Sequence, residues 1–203
     1  MIIELFGLPG AGKTTLAREL AQNYGFVAVK VSGFGELIIL NFIFLFENPI
    51  KFIAGLYFIL TNSKNFYYKV MNCFFQHNAK FQKAKRMENA VIDQGHFQNL
   101  LSVLENAVSF GKMEKYAGFF PKPDKLIVLN VEPDLAQARL SQRGWTPRQS
   151  LGKQYLTQWS LVIGQNYRTF LDNIDKFDVA YSIIDAFKTP SEILTETMNA
   201  IKI

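Results

Sequence analysis

Apolar and polar residues alternate along this chain in blocks that predict short buried strands separated by amphipathic helices. Between residues 15 and 24, leucines and alanines recur every three or four positions before Gly25, which is typical of a helix. Five short apolar runs have the length of buried strands: residues 2–6, 26–29, 90–93, 125–131 and 180–184. This alternation favours an α/β fold in which helices cover a parallel sheet and ligands bind beyond the carboxyl ends of its strands.

The interval from residue 32 to residue 89 is too long for one crossover, so we expect two or three helices that form a cap beside the sheet. Its segments 37–46 and 52–60 are uncharged, and polar residues around Pro49 separate them. Each segment is shorter than the roughly 20 apolar residues that a membrane span needs. The pattern favours two buried or substrate-lining helices broken near Pro49, with contact to a membrane interface or a protein partner as alternatives.

Length and composition predict one domain over residues 1–203. A chain of 203 residues that is 49% hydrophobic can bury a substantial core. Its single cysteine, Cys73, excludes an internal disulfide and is expected to fill apolar space among neighbouring aromatic residues. Glu4 and the glycines after it interrupt the first apolar run, which is untypical of a signal peptide. These features are expected of a cytoplasmic protein.

The net charge of +5 includes a basic stretch between residues 64 and 86, where no acidic residue occurs before Glu88. Such a stretch fits an anionic partner, such as a phosphorylated small molecule, a nucleic acid or a membrane surface, and equally fits a solvated helix face. No specific nucleic-acid-binding motif accompanies it. The two histidines lack metal-ligand spacing, so we expect His77 at the surface and leave His96 as a candidate neighbour of the site.

A glycine-rich octet between the first predicted strand and the first predicted helix has the pattern of a phosphate-binding loop. Glycine lets the backbone wrap around phosphate groups with its N–H groups inward, and the positive end of the following helix favours the same anion. Lys13 would reach the β- and γ-phosphates, and the Thr14 hydroxyl would bind Mg²⁺. The candidate nucleotide-binding residues here are Gly7, Leu8, Pro9, Gly10, Ala11, Gly12, Lys13, Thr14 and Thr15.

A carboxylate follows the third predicted strand. In a parallel sheet, Asp93 would reach the same edge as the glycine-rich loop. There it could hold a Mg²⁺-bound water or accept a proton from an attacking hydroxyl. The alternative is that Asp93 caps the next helix.

Two arginines are spaced to share one face of the helix predicted for residues 133–144. Arg139 and Arg143 lie four residues apart, so both guanidinium groups could meet one anion, and Arg148 follows in a short loop. The alternative is a pair of solvated cations, which the end of a helix favours in any case.

The loop at the first strand, Asp93 after a later strand, and the helix that leads into an arginine-bearing segment resemble the P-loop nucleoside and nucleotide kinases, thymidylate kinase-like proteins above all. The resemblance implies a three-layer α/β sandwich with a five-stranded parallel sheet in the order 2-3-1-4-5, a helical cap at about 32–89 and a lid at about 139–150. It also implies that Arg139, Arg143 and Arg148 neutralise the transferring phosphoryl group and that Asp93 is the site carboxylate.

Two departures from the thymidylate kinase pattern bear on the substrate. Gln94 stands where those kinases usually carry an arginine, and residues 30–34 replace their Arg-Glu-Pro-Gly-type loop. Thymidylate is therefore disfavoured, and the interval 34–88 is expected to form its own pocket for a nucleoside, a sugar, another metabolite or the end of a larger molecule. The loop after Ile184, with Ala186 and Lys188, is a candidate base contact.

The sequence thus predicts an ATP- and Mg²⁺-dependent phosphotransferase that moves the γ-phosphate to a small-molecule acceptor. The expected catalytic residues are Lys13, Asp93, Arg139 and Arg143, and the expected metal ligands are Thr14 and Asp93. The alternative is a regulatory ATPase or switch whose apolar, basic cap binds a protein or a membrane. A guanine-specific Asn-Lys-x-Asp motif is absent, which counts against an ordinary GTPase switch. The sequence leaves a homodimer open.

Overall fold

A computed structural model describes residues 1–63, 66–142 and 152–201. Its centre is a parallel sheet of five strands in the order β2-β3-β1-β4-β5, which confirms the predicted fold class and strand order. The strands are β1 (Ile2–Gly7), β2 (Val27–Ala28), β3 (Ala90–Ile92), β4 (Lys125–Asn130) and β5 (Tyr181–Asp185). The strands β2 and β3 are shorter than the apolar runs that predicted them.

Helices connect the strands and form the outer layers. They are α1 (Lys13–Asn23), α2 (Phe34–Glu47), α3 (Pro49–Asn62), α4 (Phe66–Lys69), α5 (Gln76–Ala84), α6 (Asn99–Ser102), α7 (Phe110–Ala117), α8 (Pro133–Ser141), α9 (Lys153–Leu171) and α10 (Pro190–Ile201). A π-helical turn, Val70–Phe75, joins α4 to α5, and a 3₁₀ turn, Ile174–Phe177, precedes β5.

Aromatic packing fixes α9 and the cap on the sheet. Phe6 of β1 lies 4.1 Å from Phe170 of α9, measured between ring centroids, and both rings are fully buried. On the cap side, Phe74 of the π-helical turn packs against Phe52 of α3 and against Phe120. Buried aromatic pairs of this kind stabilise both by the apolar area they bury and by their ring geometry.

The helices α2 and α3 occupy the long interval after β2. Pro49 begins α3, where a missing backbone N–H is tolerated, and the two axes differ in direction by 116°. Within the described residues no single helix is long and apolar enough to cross a membrane, although this bent pair together meets the length and composition.

The prediction that His77 lies at the surface was wrong, whereas the prediction that Cys73 fills apolar space is confirmed. His77 is buried, with 5% of its surface exposed, rather than on the surface. Burial lowers the pKa of its imidazole well below the usual value, so the ring is neutral at pH 7. Cys73 is buried beside the aromatic residues of the π-helical turn, as predicted.

Candidate active site

The glycine-rich loop lies between β1 and α1, and its three glycines all have positive φ angles that other residues rarely adopt. The φ angles are 153° at Gly7, 94° at Gly10 and 97° at Gly12. A Cβ atom on Gly10 would also lie 2.2 Å from the carbonyl oxygen of Ala136 in α8, whereas one on Gly12 would meet nothing within 4 Å. Gly10 is therefore required by packing as well as by backbone conformation.

Lys13 begins α1 and folds back over the loop. Its Nζ donates hydrogen bonds to the carbonyl oxygens of Gly7 at 2.8 Å and Leu8 at 2.9 Å, and only 7% of the residue is exposed. The N-terminus of α1 lies at the same loop. It carries partial positive charge, because the first N–H groups of a helix have no partner within the helix. The loop thus concentrates positive charge where a phosphate group would bind.

Thr14 and Asp93 come together across the carboxyl edge of the sheet. The Thr14 Oγ1 lies 3.3 Å from Asp93 Oδ2, although the residues are 79 positions apart. A hydroxyl and a carboxylate are oxygen ligands of the kind that Mg²⁺ prefers, with phosphate oxygens and water completing its shell. Among the described residues there is no cluster of three or more histidine, cysteine or acidic side chains that could hold a metal by itself.

Lys80 of α5 is a third member of this group, and the sequence did not single it out. Its Nζ lies 3.0 Å from Asp93 Oδ1 and donates to the carbonyl oxygen of Gln94 at 3.3 Å. Burial alone would raise the pKa of Asp93, but the charge and hydrogen bond of Lys80 lower it below the usual value. Asp93 is therefore a carboxylate at neutral pH.

The basic stretch that includes Lys80 is not a uniformly solvated face. Lys83 pairs with Glu36 at 2.7 Å, Lys85 pairs with Glu47 at 2.6 Å, and the buried Lys69 pairs with Glu105. The carboxylates come from other parts of the chain, so the stretch is basic in sequence and largely neutralised in the fold.

A cavity of about 990 Å³ opens beside these groups and extends toward β2. Thr14, Asp93 and Lys80 lie at one end, and the remaining wall includes residues 26–31, all apolar except Lys30, together with Arg18 and Gln76. The volume lies at the upper end of the range for small-molecule sites, which combine apolar walls with a few polar groups. A ligand here could approach the Thr14–Asp93 pair directly.

Of the predicted arginine pair, Arg139 lies within the described residues. The Nη1 of Arg139 donates to the carbonyl oxygen of Ala186 at 3.1 Å, in the loop after β5. Arg143, Arg148 and most of the predicted lid lie outside the described residues. Arg139 therefore links α8 to the candidate base-contact loop.

Glu4 and Gln98 link the segment after Asp93 to the glycine-rich loop. Glu4 lies in the middle of β1 and is fully buried, and its Oε1 accepts the backbone N–H of Gln98 at 3.1 Å. The Gln98 side chain in turn accepts the N–H of Gly7 at 3.3 Å. Nothing in an apolar strand pattern signals this role, because a single acid in such a run is usually read as an interruption.

His96 lies in the same turn, but its ring faces the core. It stacks on Phe120 at a centroid distance of 4.2 Å, and neither ring nitrogen has a hydrogen-bond partner among the described residues. Burial lowers the pKa of His96 to about 3, so the ring is neutral. The position suits a packing role more than proton transfer.

We expect Glu4→Gln to alter how stability depends on pH. Burial raises the pKa of Glu4 to about 7 from 4.5, so between these values the unfolded chain releases a proton that the native protein keeps. Native stability therefore falls as pH rises from about 4.5 to about 7, by about 3 kcal/mol for this group. Urea unfolding at several pH values should show the variant gaining that amount relative to the parent protein.

Glu36→Gln is the matched control for this measurement. The pKa of Glu36 is lowered from 4.5 by its hydrogen bond with Lys83, so its effect on stability changes mainly below pH 4.5, and Glu36→Gln should leave relative stability nearly flat between pH 4.5 and pH 8. The buried histidines contribute equally to parent and variant and cancel in the difference. A Glu4→Gln difference that is flat from pH 4.5 to pH 8 would contradict the raised pKa.

The strand order, the glycine-rich loop and the carboxylate beyond β3 define a P-loop kinase, a phosphotransferase of the nucleoside and nucleotide kinase type. A family model described as AAA domain matches residues 3–159, and the chain belongs to that family.

Curated relatives and solved structures agree with this class. The chain is 24% identical over 201 residues to a putative adenylate kinase of Pyrococcus furiosus, covering 99% of the chain and 84% of the relative. It is 27% identical to a probable thymidylate kinase of Archaeoglobus fulgidus, covering 100% and 95%. A deoxyadenosine kinase from M. mycoides with bound dATP shares the fold over the full length of both chains, with a TM-score of 0.66 and 19% identity.

Proposed function

We propose that this protein transfers the γ-phosphate of ATP, with Mg²⁺, to a small anionic acceptor that binds in the cavity beside Asp93. The observation that carries the proposal is the meeting of Thr14 and Asp93 next to the buried Lys13, at the mouth of a cavity of about 990 Å³. Phosphate-binding and acceptor-binding groups thus converge on one edge of the sheet.

The nucleotide would be held by the backbone N–H groups of the glycine-rich loop and by Lys13, whose Nζ would exchange its carbonyl partners for phosphate oxygens. Thr14 and Asp93 would hold Mg²⁺, which offsets the charge of the phosphate oxygens when bound. Catalysis would then rest on positioning and electrostatic stabilisation, as is general for phosphoryl transfer. Arg139 and Arg143 remain candidates for charge neutralisation.

The charges around the cavity favour an acceptor that carries a phosphate. Arg18, Lys30 and Lys80 line it against one carboxylate, Asp93, which pairs with Lys80, so positive charge remains beside the apolar wall. This combination suits a ring or sugar joined to an anionic group. The relatives named adenylate and thymidylate kinase indicate nucleotides as the class to test first. A nucleoside monophosphate fits these features better than a neutral sugar.

The direct test is to incubate the purified protein with Mg²⁺ and γ-labelled ATP against separate panels of nucleoside monophosphates, nucleosides and sugars. We expect a labelled nucleoside diphosphate, no product with Lys13→Ala, and a matched rate with Lys112→Ala, a lysine outside the loop. Label released only as inorganic phosphate would favour the regulatory ATPase instead. Labelled sugar or nucleoside products would overturn the anionic acceptor but keep the phosphotransferase.

Lys80→Gln should raise the KM for the acceptor without raising the KM for ATP. If Lys80 contacts an anionic acceptor, losing one charge-assisted hydrogen bond raises the acceptor KM by about tenfold or more. The KM for ATP should change little, because Lys80 lies on the acceptor side of Asp93. Steady-state kinetics at varied acceptor concentration measures this.

Lys85→Gln serves as the matched control, since Lys85 directly follows α5, the helix of Lys80, and pairs with Glu47 rather than with Asp93. Both KM values should be unchanged there. Equal increases in both KM values for Lys80→Gln would argue that Lys80 only positions Asp93.

A further inference from the structure

The outer surface of the cap is unusually apolar. On α2 and α3, large apolar side chains point to solvent, with 81% of Phe46 and 82% of Ile50 exposed. We call this surface the cap face and define it by Phe34, Ile39, Phe42, Phe46, Ile50 and Ile53. Large exposed apolar surfaces usually mark interaction sites.

The cap face is separate from the candidate active site. None of its six defining residues lines the cavity beside Asp93. On α2, Ile39, Phe42 and Phe46 are spaced so that they follow one side of the helix, opposite the buried Leu37, Leu40 and Phe44. The helix is apolar on both sides, so core packing accounts for only one of them.

The cap face offers almost no hydrogen-bonding groups. Between Glu36 and Glu47 the one polar residue of α2 is Asn41, which is buried and donates to the carbonyl oxygens of Leu37 and Phe75. A typical protein interface carries about one hydrogen bond per 100–200 Å², and its geometry sets the register of the partner. The hydrocarbon of a lipid bilayer forms no hydrogen bonds, so the apolar composition of the cap face suits contact with lipid better than contact with a protein.

The charges around the cap face also suit an anionic lipid surface. Glu36 and Glu47, near the ends of α2, are neutralised by Lys83 of α5 and by Lys85, which directly follows α5. Lys51 is exposed beside Ile50, and no carboxylate in the described part of the chain pairs with it. With a net charge of +5, the chain would be attracted to anionic lipid.

We propose that the cap face docks on the surface of an anionic lipid bilayer, with the apolar side chains of α2 and α3 entering the interfacial region. Neither α2 nor α3 is long enough to cross the bilayer alone, and a bend of 116° separates the two helices. An interfacial position does not require a helix that crosses the bilayer. Exposed Tyr57, also on α3, belongs to a residue type that favours the membrane–water interface. The proposal is independent of which acceptor the cavity takes.

Flotation with lipid vesicles tests the proposal on the whole protein. We expect it to float with vesicles of phosphatidylglycerol and phosphatidylcholine in equal parts, and less with phosphatidylcholine alone. The double variant Phe46→Ser/Ile50→Ser should lower partitioning at least about tenfold, because two side chains no longer enter the interface. Lys51→Gln should lower it about fivefold on the anionic vesicles only.

The double variant Tyr24→Ser/Leu161→Ser is the matched control, since both residues are exposed apolar side chains outside the cap. It should float as the parent protein does, and all variants should keep the parent melting temperature. Failure of the parent protein to float with either vesicle would overturn the proposal. So would a dimer in light scattering that Phe46→Ser/Ile50→Ser converts to a monomer, because a second copy would then cover the cap face.

Discussion

Replacing Asp93 with asparagine is expected to lower kcat by about 100-fold or more while the protein stays folded. Asparagine keeps the shape of the side chain but removes the negative charge that faces Thr14 Oγ1 and Lys80 Nζ. Both roles open to Asp93, holding Mg²⁺ and accepting a proton, depend on that charge. Steady-state kinetics with the acceptor found in the labelling assay measures the effect.

Asp178→Asn provides a matched control for this experiment. Asp178 also pairs with a lysine, Lys122 at 2.9 Å, but its side chain is 97% exposed and far from the glycine-rich loop in the chain. Asparagine also tolerates its left-handed φ angle of 47°. We expect kcat to be unchanged there, and an Asp93→Asn enzyme that keeps its full kcat would remove Asp93 from the catalytic group.

Gly10→Ala is expected to destabilise the protein by about 3 kcal/mol or more. The added methyl group would lie 2.2 Å from the carbonyl oxygen of Ala136, which belongs to the backbone of α8 and cannot rotate away. The φ angle of 94° adds strain for any residue other than glycine. For a chain of 203 residues the melting temperature should fall by roughly 10 °C.

Gly12→Ala separates the two contributions to that loss. Its φ angle of 97° is nearly the same, but a Cβ there meets nothing within 4 Å. Only the backbone strain, about 1–2 kcal/mol, should appear. If the two variants melt at the same temperature, then α8 moves aside without cost and the contact with Ala136 does not restrain the loop.

Local sequence signals were sufficient for the strands and for the glycine-rich loop. The loop octet lies between a buried strand and a helix, and its residues are close in sequence, so the pattern and the structure report the same local geometry. The sheet order came from the resemblance to P-loop kinases and is confirmed. The approach of Thr14 to Asp93 followed from a general property of parallel sheets, whose carboxyl ends share one edge.

The positions of the other side chains near Thr14 and Asp93 could not be predicted from local sequence signals. Lys80 reaches Asp93 only because the continuous helical stretch of α4, the π-helical turn and α5 folds back over β3, and no local pattern encodes that approach. Glu4 is held by N–H groups more than 90 residues away. His77 was placed at the surface because an isolated polar residue is usually exposed, whereas it lies buried beside His96.

The position of α8 has a mechanical consequence for nucleotide binding. The Ala136 carbonyl of α8 limits the space beside Gly10, and Arg139 of α8 donates a hydrogen bond to Ala186 in the loop after β5. One short helix therefore contacts both the glycine-rich loop and the loop after β5, between which a nucleotide would lie. A ligand that displaces either loop would tilt α8, and this tilt would displace the other loop. Filling the cleft beside one loop and repositioning the other loop would then be a single motion.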